Sequence, residues 1–545
     1  MRQTRRMFLG AAAAMGALAA TGVRAAAQTS TVRLSLAAFS ADAAKVASLR
    51  RGIAAMKALP ASDHRSWFFQ AATHAYSEAL FAAEAKRDPK LKTIDAKKYW
   101  NKCPHFGQSS ADFLIWHRAY LQNFESILRA MAGDPALALP YWDYSQPEQR
   151  TFPAIFAPEF ADDAKRVRNP LYHPNRERSF AHGLLEISAT IGEAATTVGA
   201  DNFFHEVGVT GFGGDDLDSD HTQIGLLEQR PHNDIHLAVG GVINSTNGAM
   251  AEITTAAFDP VFWVHHANID RMWAQWASKA GKRWGPLPPD SWFDERPWTF
   301  LNVDGNEQNF SRREALALLA AYDVDYPQLL ILPPSAPYPP PPPVAAEAPS
   351  GTEAAGAGPA TVQSMPPPKT AAIAHRAAER ELFADNRPIT VSPRSAGRRN
   401  LASAAPLGAV AGFVGNPSST VLSAPELSEP NAKVLLELAG ISFKRVPSSG
   451  FAVYLDSGGK PASDPVGLID IFGATHMGAG MNAMPGMRSA KSVQRFDVTR
   501  IVANSPGPFA LRVEPYDLLV TKGGKPGASR ADAVQIGSVR FVVVS

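Results

Sequence analysis

Phe258-Asp259-Pro260-Val261-Phe262-Trp263-Val264-His265-His266-Ala267-Asn268-Ile269-Asp270-Arg271-Met272-Trp273 is the stretch that decides the fold. Asp259 can cap a helix and Pro260 suits its first turn, so a helix is predicted from here through Trp276. Its two adjacent histidines point about 100° apart around the helix axis. One can bind a metal while the other packs behind it. Upstream, Pro231-His232-Asn233-Asp234-Ile235-His236 places two histidines at i and i+4, on one face of a helix and close enough to share an ion. Such a pair is common on protein surfaces. A third histidine from the 265–266 pair makes a three-nitrogen site that suits copper or zinc.

The N-terminal half supplies a second set. His74 falls in a predicted helix from Ser62 to Ala85, with Trp67, Phe68, Ala71, Ala75 and Ala79 as its apolar stripe. Cys103-Pro104-His105 falls in a loop. Trp116-His117-Arg118-Ala119-Tyr120-Leu121 falls in a helix predicted from Ile115 to Met131, stopped by Gly133 and Pro135. Taken singly, each histidine reads as an ordinary core or surface residue. Six of them in two ordered triplets, inside aromatic helices and without carboxylates, point to copper over magnesium, calcium or non-haem iron.

These segments resemble the copper motifs of tyrosinases and plant polyphenol oxidases. Glu228 to His236 and Asp259 to Trp273 are similar to the second motif, and Trp116 to Leu121 to the end of the first. The resemblance spans roughly residues 60 to 325. It implies a mainly α catalytic domain, a four-helix bundle around two copper ions. Such a domain oxidises phenols or o-diphenols to o-quinones with O2, as a tyrosinase or catechol oxidase does. By that resemblance His74, His105 and His117 hold the first copper. His232, His236 and His266 hold the second, with His265 behind them. The segment Phe106 to Trp116 separates His105 from His117 more widely than in most members, which keeps His64 open as an alternative ligand. Cys103 and His105 match the Cys-x-His pair that forms a thioether cross-link in fungal members. Glu228 and Asn233 match the glutamate and amide that orient a water as general base. Ile253 takes the place of the gate residue over the copper pair.

The rest of the chain sets the context. Arg5-Arg6-Met7-Phe8-Leu9, the apolar run to Ala20 and Ala25-Ala26-Ala27 resemble a twin-arginine export signal. Residues 1–27 are therefore expected to engage the Tat export machinery, and the mature protein to be periplasmic or extracellular. No later apolar stretch reaches the ~20 residues of a membrane helix, so no membrane association is expected of the mature form. A net charge of +2 leaves no basic stripe for nucleic acid. One cysteine excludes an intramolecular disulfide.

Residues 28–332 are the expected catalytic domain, and the Pro- and Ala-rich stretch 333–400 the expected linker. From 401 to 545 the segments Val434–Leu438, Phe451–Leu455, Leu468–Phe472, Phe509–Val513 and Val539–Val544 alternate or run apolar between turns. They predict a small antiparallel β-sandwich or barrel. Gln494 to Thr499 resembles part of the β-domain of plant polyphenol oxidases, which can cover the copper site and keep the enzyme latent. A loop from Thr475 to Met487 holds four methionines and a histidine. It reads as an adaptable apolar plug or as a set of soft Cu(I) ligands. Two rivals to the enzyme stand at this level: a haemocyanin-like oxygen-binding protein and a structural zinc protein.

Overall fold

The computed structural model describes residues 32–104, 109–197, 199–216, 222–243, 246–279, 281–323, 379–391, 397–400, 407–408, 412–413, 432–443, 449–472, 493–504, 509–525 and 533–544. The expected export signal, His105, the proline-rich stretch 333–370 and the methionine-rich loop 475–487 lie outside the described residues.

Five helices position the histidines: α1 (Ala43–Ala58), α2 (Trp67–His74), α3 (Asp112–Ala132), α4 (Asp234–Gly240) and α5 (Val261–Ala277). Helices α3 and α5 are buried on nearly every side, as expected of helices that carry apolar residues all round. They meet through Trp263, which stacks on Phe124 at 3.4 Å between ring centroids and packs on Tyr120 at 4.8 Å. Helix α1 lies against α3 at Gly52, where even a methyl group would approach Leu128 Cδ1 to 2.7 Å. Gly133 ends α3 at φ +60°, a conformation that strains residues with a Cβ.

Buried ion pairs fix the helices in register. Arg118 Nε on α3 donates to Asp270 Oδ1 on α5 at 2.7 Å, and Arg33 bridges Asp270 and Glu125. Asp259 accepts the Val261 N–H at 3.0 Å, so it caps α5 as its sequence predicts. The same carboxylate is held by Arg176 through two bonds of 2.7 and 2.6 Å.

One helix expectation needs correction. The predicted helix from Ser62 to Ala85 is split: α2 stops at His74, Ala75 is extended (φ −153°, ψ 139°), and a second helix runs over Glu78–Glu84. The cause is local. Ser66 and Ser77 each accept a hydrogen bond from the N–H three residues on, so each starts its own helix in an otherwise continuous apolar pattern. His232 and His236 both follow a kink at Arg230 and lie on one helical run, as their i, i+4 spacing predicts. Glu228–Asn233 forms a π-turn, and α4 follows it directly.

The C-terminal part is β-rich. Strand β1 (Leu185–Ile187) belongs to the helical part. Among the strands of the C-terminal part are β2 (Glu379–Asp385), β3 (Gly397–Asn400), β4 (Lys433–Ala439), β5 (Ser449–Ser457), β6 (Gly467–Leu468), β7 (Val493–Asp497), β8 (Phe509–Asp517), β9 (Leu519–Thr521) and β10 (Ser538–Val544). One antiparallel sheet has the order β2-β10-β4-β7 and another the order β3-β8-β5-β6. Strands β2 and β3 fall within 333–400, the stretch whose composition reads as linker. Strand β2 pairs with β10, Glu379 opposite Val544 and Asp385 opposite Val539, with a shift of register between Glu381 and Phe383. A partner strand distant in sequence therefore supplies its hydrogen bonds. Of the predicted strand Leu468–Phe472 only Leu468 lies in β6, and the chain then leaves the sheet with Phe472 buried. Strand β9 pairs with β1, Leu519 opposite Ile187, so the β-region docks on the helical part through backbone hydrogen bonds. Among the described residues no helix is long and apolar enough to cross a membrane.

Candidate metal centre

The imidazoles of His232, His236, His265 and His266 converge in the core with donor atoms within 4.8 Å of one another. Within this group, His266 Nε2 lies 3.3 Å from both His232 Nε2 and His236 Nε2. The opposite ring nitrogens have their own partners. His236 Nδ1–H donates to the Met250 carbonyl at 2.8 Å, and His232 Nδ1–H to Asn233 Oδ1 at 2.8 Å. An acceptor on Nδ1 fixes the tautomer and leaves the Nε2 lone pair facing inward.

A second group contains His74, Cys103 and His117, again with donor atoms within 4.8 Å. His74 is the last residue of α2, and its Nδ1–H donates to the Ile253 carbonyl at 3.1 Å. His117 Nδ1–H donates to Phe113 O one turn back along α3, at 2.7 Å. His105, the third ligand expected here, lies outside the described residues. His64, its alternative, is half-buried, with Nε2 3.1 Å from the Val303 carbonyl, and does not join the group. The two groups face each other: the His117 and His266 rings stack at 4.2 Å and 14°.

Burial keeps these rings neutral. It holds His74 and His265 down to about 3, and His232, His236 and His266 well below the ordinary imidazole range, with neighbouring histidines adding to the effect in the last three. Neutral, fully buried imidazoles with lone pairs converging at 3.3 Å repel one another unless a cation accepts them. The donor set therefore fits a metal ion, and nitrogen-only donors of this kind suit copper. Among the ligands proposed from sequence, His74, His117, His232, His236 and His266 are brought together. His265 stacks beside His232 at 5.4 Å, and Tyr144 Oη lies 3.4 Å from its Nδ1.

Glu228 and Asn233 lie on the π-turn beside His232, and both are buried. With Asn233 Oδ1 engaged by His232, the Asn233 Nδ2 amide has no protein partner among the described residues and is available to a water. Ile253 contributes its carbonyl to His74, which the gate reading did not foresee. The sequence reading also missed the aromatic lining. Phe262 lies 4.1 Å from the His266 ring and 4.9 Å from His74, and Phe113 lies 4.5 Å from His232 and 4.6 Å from His117. Both sit four residues before a histidine on its own helix, at 262/266 and 113/117, a spacing visible in the sequence. From the β-region, Phe472 stacks on His236 at 4.2 Å and meets the His232 ring edge-on at 5.8 Å.

Comparison with known proteins agrees with this geometry. Residues 64–279 match the common central domain of tyrosinase. The chain is 33% identical over 310 residues to tyrosinase HcTyr1 of Hahella sp., covering 51% of this chain and 58% of that one. It is 29% identical over 252 residues to the chloroplastic polyphenol oxidase of Spinacia oleracea, covering 42% of this chain and 36% of that one. The matches thus span only about a third to three-fifths of these relatives' lengths. The structure of latent apple tyrosinase superposes with a TM-score of 0.50 at 20% identity, over 94% of this chain and 97% of that one, so the fold likeness includes the β-rich region. Residues 64–279 of this chain are therefore similar to the common central domain of tyrosinase, and they carry histidine clusters suited to copper.

Proposed function

We propose that this protein oxidises phenols or o-diphenols to o-quinones with O2 at a pair of copper ions. The observation that carries the reading is the pair of facing histidine groups, with three Nε2 atoms converging at 3.3 Å on one side and His117 stacked across at 4.2 Å. His74, His105 and His117 would hold the first copper, and His232, His236 and His266 the second. The bound metal pair would supply electron exchange with O2 and with the phenol.

The remaining steps fall to the protein. A phenol, with a pKa near 10, must lose a proton before it can bind as an anion. Glu228 takes that proton through a water held by Asn233 Nδ2. The carbonyls of Met250 and Ile253 keep the His236 and His74 imidazoles in the Nδ1–H tautomer, which leaves each Nε2 lone pair free to be donated to a metal. Ile253, a branched aliphatic residue at the gate position, leaves room for an aromatic ring. His265 packs against His232 without serving as a ligand. Glu228 and Asn233 beside His232 favour this enzyme over an oxygen carrier, and the all-histidine group of His232, His236, His265 and His266, facing His74 and His117, favours copper over structural zinc. We read α2, α3, α4 and α5 as the four-helix bundle implied by the family resemblance, and the two four-stranded sheets as the expected sandwich. Arg5-Arg6 supports export by the twin-arginine route.

We also infer that the β-region restrains this site. Phe472 lies against His236 with its ring nearly parallel, where an incoming phenol would have to stack. The name of the apple structure, latent tyrosinase, agrees with this reading. The test is copper-loaded protein mixed with catechol, before and after protease cutting in 333–370. Quinone colour at once, or only after cutting, supports the enzyme. No oxidation in either state, with full copper content, refutes it.

A further inference from the structure

The β-region touches the helical part at several places, but few of them reach the segment Glu228–His236 that carries Glu228, Asn233 and two of the histidines. Strand β9 adds to β1, Lys433 meets Asp215 at 3.2 Å, and Asp497 accepts the Gly208 N–H at 2.8 Å. None of those partners on the helical part belongs to the metal centre. Two other contacts are different. The Leu468 N–H donates to Gln229 Oε1 at 3.1 Å. Tyr516, on β8, donates its hydroxyl to Asp234 Oδ1 at 2.7 Å. Arg230 completes a three-part clamp: its Nε donates to Asp234 Oδ2 at 2.9 Å, and its guanidinium covers the Tyr516 ring at 4.1 Å. Asp234, between His232 and His236 in sequence, is buried under this ring.

The β-region is shaped for the clamp. Gly450 lies opposite Tyr516 on the neighbouring strand β5. A Cβ at Gly450 would fall 1.9 Å from Tyr516 Cζ, so only glycine leaves the ring its place. A phenol is thus seated between a cation and a carboxylate, and the same segment turns His236 towards Phe472.

We propose that the Arg230–Asp234–Tyr516 clamp is the fastening that keeps Phe472 over His236, so that its release, rather than loss of the whole β-region, is what opens the metal centre. This rests on the reading of the β-region as a shield. The cation–π contact and the hydrogen bond to a charged acceptor both act on the closed state alone. Losing the hydroxyl should shift the closed-to-open ratio by about tenfold or more, given what hydrogen bonds to charged groups contribute.

The experiment uses the full uncut chain loaded with copper. Tyr516→Phe removes the hydroxyl. Gly450→Ala leaves Tyr516 intact but drives its ring out of the clamp, so it serves as a second, independent variant. Both should raise the rate on catechol about tenfold in the uncut protein, with copper content unchanged. After protease cutting in 333–370, both should run at the rate of the cut wild type, which a general structural defect would not give. If both variants stay as slow as wild type while cutting still activates, the clamp proposal fails and the shield stands. If cutting activates neither wild type nor variants, the shield fails and the proposal falls with it. Should one variant lose copper, the other decides.

Discussion

Replacing Asp259 by alanine should strongly destabilise the catalytic domain. The Asp259 carboxylate is fully buried and takes two hydrogen bonds from Arg176, at 2.7 and 2.6 Å, and one from the Val261 N–H at 3.0 Å. Arg176 is buried too, and keeps the carbonyls of Phe156 and Leu171 and the face of Phe152, but no carboxylate, once its counter-ion is gone. Breaking a buried pair by removing one partner costs about 3–5 kcal/mol. Losing the cap on α5 adds about 1 kcal/mol. The sum, about 4–6 kcal/mol, should appear as a lower urea midpoint for copper-free protein followed by tryptophan fluorescence. Asp259→Asn keeps an oxygen for the cap and should lose clearly less.

The pH dependence has a definite sign. Burial raises the Asp259 carboxyl, but Arg176 outweighs it, and the net effect is a pKa below the ordinary value of 3.8. A depressed folded-state pKa stabilises the protein above the unfolded pKa and loses that contribution as pH falls through the folded value. The gap between wild type and Asp259→Ala should therefore hold from neutrality to about pH 4 and narrow below it. A loss under about 1 kcal/mol, or a gap that widens on acidification, would refute the assignment of Asp259 as the charged anchor of α5.

Three further outcomes follow from the site. His266→Ala should remove one of two copper ions by elemental analysis and abolish oxidation, whereas His265→Ala should retain both ions; the reverse pattern would exchange their roles. Glu228→Gln should slow monophenol hydroxylation more than diphenol oxidation, because diphenols lose a proton more readily, and equal slowing would remove its role as base. The Cys103 sulfur, buried beside His74 and His117, should be joined to His105 in the loaded protein. Mass spectrometry should show a loss of about two hydrogens in that peptide, from the bond chemistry, and an alkylatable Cys103 in the denatured, loaded protein counts against the bond.

What the sequence reveals depends on which chemical group performs a task. Helices α3 and α5 are legible because their tasks fall to side chains: the Asp259 cap, the Gly133 stop, and histidines at recurring positions. Ile253 shows the opposite case. Sequence assigns it a side-chain role at the gate, yet its established contact in the structure is the carbonyl that fixes His74. Met250 does the same for His236. Any residue has a carbonyl, so no residue type marks these positions. The split at Ala75 was hidden for a related reason, since Ser77 becomes a cap only if the chain has already stopped at His74. Strand β2 was hidden because its partner, β10, lies at the other end of the β-region.

Phe472 belongs with these. Sequence placed it at the end of a strand, where it would be one more core residue. In the structure β6 ends at Leu468, and the four residues after it carry the phenyl ring out of the sheet and onto His236. Leaving the sheet costs a strand its ladder hydrogen bonds unless others replace them. Here Ile469 N–H still reaches Phe451 O at 2.8 Å, Asp470 N–H reaches the Gln494 side chain at 2.9 Å, and Phe472 N–H reaches Asp470 Oδ1 at 3.0 Å. The departure is built into Asp470 and Gln494, two buried polar residues that a sandwich core would otherwise exclude. Polar residues buried beside an apolar run are thus the sequence sign of a segment that leaves its sheet to serve another part of the molecule.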